Sequence, residues 1–202
     1  SSVISLLRRP DKPKVIVIGL LYTDTYGFLE STYRGKKDTA LYLKTDDIKV
    51  LEQYLDDQTA CILTETITNP LLEIPDLETL GQLARKYQIP LVIDNTLATP
   101  INCRPLDWGA DLVIHSTSKY LSGGNDHGGG AVLFRKEHLK WSFEHHHDQW
   151  GLDPWEPEIQ ILQQNLENFE ERMLRFNLNG DKVAKFLKNH PEVEKVYHGS
   201  LV

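Results

Sequence analysis

Two reactive side chains stand 25 residues apart, and each comes just after a short apolar run. Asp94 follows the run at 91–93. Lys119 ends the polar sequence His-Ser-Thr-Ser-Lys at 115–119, which follows a second apolar run at 112–114. Short apolar runs of this kind are typical of buried strands. An acid, hydroxyls and a lysine at strand ends indicate a ligand-binding or catalytic site, and the function of the lysine decides its chemistry.

Three chemistries could use this lysine. The sequence from Ser116 to Lys119 matches the S-x-x-K pattern of serine acyl enzymes, but the S-D-N and K-T-G elements of that class are absent from the sequence. The glycine-rich run at 123–130 fits neither G-x-G-x-x-G nor a P-loop, so it gives weak support to a nucleotide site. The third chemistry is a Schiff base between the lysine and the aldehyde of pyridoxal 5'-phosphate (PLP).

PLP needs several partners besides its lysine. An acid must face the ring nitrogen, hydroxyls and backbone amides must bind the phosphate, and an aromatic ring usually stacks on the pyridine. Asp94, Ser116 with Ser118, and Tyr22 could supply these parts around Lys119. Each residue alone has an ordinary structural interpretation, as a helix cap, a turn or a packed ring. Their combination at strand ends favours the PLP hypothesis over the other two.

The elements that would position these residues alternate along the chain. Apolar runs without tight hairpins between them predict a mostly parallel sheet with helices on both faces, and ligands of such sheets bind beyond the carboxyl ends of the strands. The predicted strands are 15–21, 41–43, 60–63, 91–93, 112–114, 131–134 and, near the end, 193–197. The predicted helices are 3–7, 46–55, 76–87, an apolar stripe at 162–176 and a helix from 179 or 181 to 190.

Composition excludes some classes of function. A net charge of −7 argues against a nucleic-acid partner. No run approaches the roughly 18–20 apolar residues of a membrane helix, and two cysteines fit a reducing, cytoplasmic compartment. The histidines at 145–147 are adjacent and lack a distant Cys or His set, so a solvated loop is expected there and no metal site.

Five motifs make the hypothesis specific. They are ETITNPLL at 65–72, VIDNT at 92–96, RPL at 104–106, GAD at 109–111 and HSTSKYL at 115–121. With these motifs in this order and spacing, residues 64–134 closely resemble the Cys/Met-metabolism family of PLP-dependent enzymes, and weaker similarity spans the whole chain. That family includes cystathionine γ-synthases, cystathionine β- and γ-lyases, methionine γ-lyase and O-acetylhomoserine sulfhydrylases. The resemblance implies the large domain of the aspartate-aminotransferase-like fold (fold type I of the PLP-dependent transferases).

The resemblance also implies roles for individual residues. Lys119 would carry the cofactor and shuttle protons, Asp94 would pair with the ring nitrogen, and Tyr22 would stack on the ring and assist the leaving group. Asn69 near the ring hydroxyl and Thr96 against the ring follow from the resemblance alone. The complete predicted set is Tyr22, Asn69, Asp94, Thr96, Ser116, Ser118 and Lys119.

The activity implied by the resemblance is β- or γ-elimination, or γ-replacement, on a sulfur amino acid or an O-activated homoserine. A homo-oligomer, dimer or tetramer, is implied, in which a neighbouring subunit completes the site. Residues 1–190 are expected to be a partial PLP-binding large domain without its N-terminal segment. Residues 191–202 are expected to begin a C-terminal small domain that the chain lacks. The alternative is a non-catalytic or partial PLP-binding piece of a split or multidomain enzyme.

The sequence departs from the family pattern at two loops. Thr23 and Asp24 stand where the family has two glycines after the stacking tyrosine. After the lysine, Asp126 matches a Ser-Asp position, and the His127 that follows it is unexpected. Both departures leave the substrate open.

Overall fold

The computed structural model describes residues 2–33, 40–125, 128–151, 153 and 155–201. The strands are β1 (Lys14–Ile18), β2 (Ala40–Leu43), β3 (Thr59–Glu65), β4 (Leu91–Asp94), β5 (Leu112–Ser116) and β6 (Gly130–Phe134). The helices are α1 (Ser2–Leu7), α2 (Thr23–Tyr33), α3 (Ile48–Leu51), α4 (Leu77–Tyr87), α5 (Thr99–Asn102), α6 (Glu137–His147), α7 (Glu156–Leu166) and α8 (Phe169–Lys188).

The six strands form one sheet in the order β2-β1-β3-β4-β5-β6. The first five are parallel to one another, and β6 runs antiparallel to β5. Parallel neighbours bring their carboxyl ends to one edge, so the residues that follow β1, β3, β4 and β5 meet there. The mostly parallel sheet predicted from the sequence is confirmed.

The sheet separates two apolar clusters, which is why its strands are apolar on both faces. Val15, Val17 and Leu63 belong to the cluster that also contains residues of α1 and α2. Ile16 and Ile62 belong to the other cluster, which contains residues of α3 and α4. Helices therefore cover both faces, as the alternating pattern predicted.

Helix α4 begins where the sequence predicted it. The Asp76 carboxylate accepts a hydrogen bond from the Thr79 backbone N–H at 3.0 Å, which satisfies one free donor of the first turn. Gln88 ends the helix in the left-handed conformation, with φ of 54°. This helix and the fully buried strand β3 hold the central part of the sheet in place.

The predicted helix at 46–55 is broken into short pieces. A 3₁₀ turn at Thr45–Asp47 precedes the single turn of α3, and a second 3₁₀ turn, Glu52–Tyr54, follows it. The Asp47 carboxylate accepts a hydrogen bond from the Lys44 backbone N–H at 3.0 Å. This is the bond that a capping box makes at a helix start, so it stabilises the first turn. The three pieces follow one another without a gap, and the segment is helical over 45–54 with 3₁₀ turns at both ends.

The C-terminal part differs from the sequence expectation in three ways. The stripe at 162–176 is interrupted between α7 and α8, and no helix begins at 179 or 181 because α8 runs on through Gly180. Buried Met173 and Ala184, on either side of that glycine, anchor one continuous helix. The predicted strand at 193–197 is wrong, since a strand needs a neighbour and this segment pairs with none in the described part of the chain.

Three helices were not foreseen. Helix α2 follows Tyr22, α5 is a single turn after β4, and α6 contains the histidines that were expected in a solvated loop. His146 Nδ1 lies 2.8 Å from the Ser142 carbonyl oxygen, one turn earlier in α6. Within the described residues no group of three or more His, Cys, Asp or Glu side chains could hold a metal ion. No helix in that part of the chain is long and apolar enough to cross a membrane.

Candidate active site

One cavity of about 470 Å³ lies at the carboxyl edge of the sheet. Pockets of this size are ordinary for small ligands. The structure brings all seven residues predicted from the sequence to its wall. They are Tyr22, Asn69, Asp94, Thr96, Ser116, Ser118 and Lys119.

A chain of hydrogen bonds joins the ends of β4 and β5. The Thr96 backbone N–H donates to Asp94 Oδ1 at 2.9 Å, and Thr96 Oγ1 accepts from the Ser116 backbone N–H at 2.8 Å. In each bond one partner is a backbone N–H, and the backbone moves less than a side chain does. Asp94 and Ser116 are therefore held at a set separation by Thr96.

Lys119 lies in an irregular turn directly after β5. The π-helical turn Thr117–Leu121 contains non-helical backbone angles at Lys119, with φ of −89° and ψ of −123°. Lys119 Nζ donates to Asn125 Oδ1 at 3.3 Å, a long bond to a neutral partner. Lys119 lines the cavity, so its amine can reach a ligand there.

Two hydroxyls lie beside the lysine. Ser116 Oγ and Ser118 Oγ are 2.8 Å apart, so one donates to the other. Both face the cavity and can turn their hydroxyl hydrogens toward an anionic group. This pair is the part of the cavity suited to a phosphate.

The Tyr22 loop is held by an acid that the sequence analysis did not assign to the site. The Tyr22 backbone N–H donates to Glu65 Oε1 at 2.6 Å, while the residue lines the cavity and is 46% exposed. The Asn69 backbone acts on the same carboxyl by lowering its pKa. Glu65 therefore holds the loop that carries Tyr22 at the cavity.

Glu65 stands beside Asp94 in the sheet, at paired positions of β3 and β4. It is only 5% exposed. Burial, aided by the neighbouring Asp94 carboxylate, raises the pKa of Glu65 to about 7, although the Tyr22 and Asn69 backbone groups lower it. In the sequence, the signal for Glu65 was its position at the end of a buried strand. Only the pairing of β3 with β4 shows that Glu65 and Asp94 are neighbours.

His115 is a second buried ionisable group near Asp94. Burial lowers the pKa of His115, while the Asp94 carboxylate and the Asn95 backbone act in the opposite direction. Its Nδ1 atom has no hydrogen-bond partner within the described residues.

The remaining wall is apolar and includes α8. Phe176 of α8 lines the cavity, and its ring meets the Tyr120 ring edge-on with centroids 5.8 Å apart. Ile67 and Leu97 complete this wall. Asp126 and His127, the departures noted in the loop after the lysine, lie outside the described residues.

The family is decided by a match along the entire chain. The model of the Cys/Met metabolism PLP-dependent enzymes matches residues 1–202. The chain belongs to this family. A cystathionine gamma-synthase of Haemophilus influenzae is 33% identical over 199 residues, which are 97% of this chain and 53% of that protein. A cystathionine gamma-lyase of Bacillus subtilis is 31% identical over 189 residues, which are 91% of this chain and 48% of that protein.

Solved structures of the family share the fold. A cystathionine gamma-lyase of Lactobacillus plantarum complexed with L-serine has a TM-score of 0.87 at 31% identity, covering 97% of this chain and 51% of that one. An O-acetylhomoserine (thiol)-lyase of Campylobacter jejuni contains N'-pyridoxyl-lysine-5'-monophosphate and has a TM-score of 0.89 at 26% identity, covering 99% of this chain and 58% of that one. The expected fold and the PLP dependence of the family are confirmed. The chain spans about half the length of the curated relatives it matches.

Proposed function

We propose that this chain is the cofactor-binding part of a PLP-dependent enzyme. The enzyme would eliminate or replace a group at Cβ or Cγ of a sulfur amino acid or an O-activated homoserine. The observation that carries the proposal is the single cavity lined by Lys119, Asp94 and the Ser116–Ser118 hydroxyl pair. The relatives named above are, by their names, a cystathionine gamma-synthase, cystathionine gamma-lyases and an O-acetylhomoserine (thiol)-lyase, which supports this substrate class.

The donor set fits the cofactor. A primary amine, a carboxylate, two adjacent hydroxyls and a tyrosine ring line a cavity of about 470 Å³, and each has a counterpart on PLP. When bound, PLP supplies an electron sink that stabilises negative charge at the substrate Cα.

Lys119 and Asp94 carry the acid–base work in this proposal. Lys119 Nζ would hold the cofactor covalently and would move a proton between the substrate Cα and a neighbouring atom. Asp94 would hold a proton at the pyridine nitrogen through its charge, and its Oδ1 is already oriented by the Thr96 backbone. The Tyr22 ring would stack on the cofactor and assist the leaving group.

The other residues orient the cofactor. Ser116 and Ser118 would bind the phosphate, Asn69 would approach the ring hydroxyl, and Thr96 would lie against the ring. The apolar wall around Phe176 excludes water from the reacting atoms.

We further propose a homo-oligomer in the cytoplasm, with residues 1–190 as the large domain and 191–202 as the beginning of another. Exposed apolar side chains after β3 support an association surface. They are Leu71, Leu72 and Ile74, at 62%, 63% and 70% exposure.

A partial, non-catalytic PLP-binding module is the second candidate. It is favoured by the half-length coverage of the relatives, because the parts of those proteins that do not match could contribute to substrate binding.

The test is turnover of cystathionine, and of O-acetylhomoserine with a thiol, by the purified protein with PLP. Wild type and a Lys140→Ala control, an exposed lysine of α6, should be active, while Lys119→Ala should lose activity about 10³-fold or more. Activity of Lys119→Ala equal to wild type would refute the catalytic role. A protein that binds PLP on Lys119 without turnover supports the second candidate.

A further inference from the structure

Arg172 reaches from α8 into the turn that carries Lys119. Its Nη2 donates to the carbonyl oxygens of Tyr120 and Leu121 at 3.1 and 2.8 Å, the two residues directly after the lysine. Its Nη1 donates to the Asn165 carbonyl oxygen at 2.9 Å and to the Asn168 side chain. One guanidinium thus joins the end of α7 to the lysine turn across about 50 residues of sequence.

The lysine turn needs such a partner. Its backbone is non-helical at Lys119, and it closes on itself through bonds from Ser122 N to Thr117 O and from Gly123 N to Lys119 O. Carbonyl oxygens at the end of a helical turn have no partner within the turn. Arg172 satisfies the last two, at Tyr120 and Leu121, with charge-assisted bonds, which are stronger than neutral ones.

Gly123 makes room for the guanidinium. A Cβ added at this position would lie 2.5 Å from Arg172 Nε and 2.9 Å from Cζ, and Gly123 has a positive φ of 80°. The Asn165 side-chain amide adds a second link by donating to Ser122 Oγ at 3.0 Å. Residues at the junction of α7 and α8 therefore bind the segment 120–122 at two places, the carbonyls of Tyr120 and Leu121 and the hydroxyl of Ser122.

Arg172 is not part of the cavity wall. One turn further along α8, Phe176 is part of that wall. Helix α8 thus contributes Arg172 to the backbone of the lysine turn and Phe176 to the wall of the cavity.

We propose that Arg172 is a positioning residue for Lys119. By fixing the carbonyls after the lysine, it holds the turn in the conformation that directs Nζ into the cavity, both to hold the cofactor and to take the proton from Cα. This inference rests on the proposed function of Lys119 as the cofactor-bonding lysine. No substrate or cofactor contact is assigned to the arginine.

The test compares Arg172→Met and Arg172→Lys with Arg175→Ala, an exposed arginine of the same helix, in the PLP-loaded protein. Displacing a reacting group by about 1 Å can cost about 100-fold in rate. We expect Arg172→Met to lower kcat about 10- to 100-fold with KM changed less than about threefold, because the arginine acts only through the lysine. Arg172→Lys should recover part of kcat, and added guanidinium should partly rescue Arg172→Met.

A spectroscopic readout separates positioning from general destabilisation. The visible absorbance of the lysine-bound cofactor is titrated against pH, and the midpoint should shift in Arg172→Met but not in Arg175→Ala. A change in thermal midpoint alone, with kcat and the titration as in wild type, would overturn the inference. If Arg172→Met does not fold, Arg172→Lys decides by the same two measurements.

The two proposals can fail separately. Wild type without a cofactor bond on Lys119 refutes the proposed function. If wild type has the bond, and a folded Arg172→Met has the kcat and the titration midpoint of wild type, only the role of Arg172 is refuted.

Discussion

Replacing Glu65 by glutamine should change how the stability of the protein depends on pH. The substitution preserves the shape of the side chain, and the amide oxygen can still accept the Tyr22 backbone N–H. It removes the proton equilibrium of a carboxyl group that is 5% exposed and stands beside Asp94. Any difference in pH dependence between the two proteins therefore reports on Glu65.

The magnitude follows from the raised pKa. Burial lifts the pKa of Glu65 from its ordinary value of 4.5 to about 7. At about 1.4 kcal/mol per pH unit this is worth about 3 kcal/mol in total. Glu65 lines an open cavity where water can reorganise around the carboxyl, so the full value should not be reached. We expect the free energy of unfolding of wild type to fall by about 2 kcal/mol relative to Glu65→Gln between pH 5 and pH 8.

The sign is set by which state holds the proton. Between the unfolded and folded pKa values the folded protein keeps Glu65 protonated, while the unfolded chain has released the proton. The contribution of Glu65 to stability is thus greatest below pH 4.5 and is lost as the pH rises through about 7. Glu65→Gln has no carboxyl to titrate at this position, so its free energy of unfolding relative to wild type should rise from pH 5 to pH 8.

The assay is urea unfolding of the cofactor-free protein at pH 5, 6, 7 and 8. Wild type should lose about 2 kcal/mol relative to Glu65→Gln over this range. Glu194→Gln, at an exposed position outside the helices and strands, serves as the control and should run parallel to wild type. If Glu65→Gln also runs parallel to wild type, within about 0.5 kcal/mol, the buried-acid reasoning is refuted.

Two further substitutions test other parts of the structure. Asp94→Asn keeps the hydrogen bond from the Thr96 backbone but cannot hold a proton at the cofactor nitrogen by charge, so kcat should fall about 10²-fold or more. The control is Asp107→Asn at an exposed position, which should leave kcat unchanged. An Asp94→Asn protein with the kcat of wild type would contradict the role assigned to Asp94. Asp76→Ala removes the cap of α4 and should cost about 1 kcal/mol in the free energy of urea unfolding. Turnover should be unchanged, because no residue of α4 lines the cavity. An unchanged free energy of unfolding would show that the cap contributes nothing.

Much of the sheet was predictable from local pattern. β3, β4 and β5 are short runs buried on both faces, so their residues are apolar and their limits stand out. Parallel strands place their carboxyl ends together, and this alone predicted that Asp94 and Lys119 would be neighbours of one cavity. Asn69 and Thr96 came only from the family resemblance, because an amide and a hydroxyl at these positions have ordinary structural roles.

The missed features depend on distant contacts. Glu65 matters because it adjoins Asp94 across two strands, and Arg172 matters because it meets Tyr120 and Leu121 in space. Helix α8 runs through Gly180 because buried residues on both sides hold it, which overrides the weak helix preference of glycine. Local pattern contains none of this information, since each contact joins residues that are far apart in sequence.

The central claim is that Lys119 bonds the cofactor, and chemical trapping tests it most directly. The purified protein is incubated with PLP, its visible absorbance is recorded before and after borohydride, and the modified residue is located by mass spectrometry. We predict a yellow chromophore that borohydride abolishes, with the cofactor mass on Lys119 and on none of the other lysines. A chromophore that persists in Lys119→Ala, or a label on a different lysine of the wild-type protein, would contradict the account.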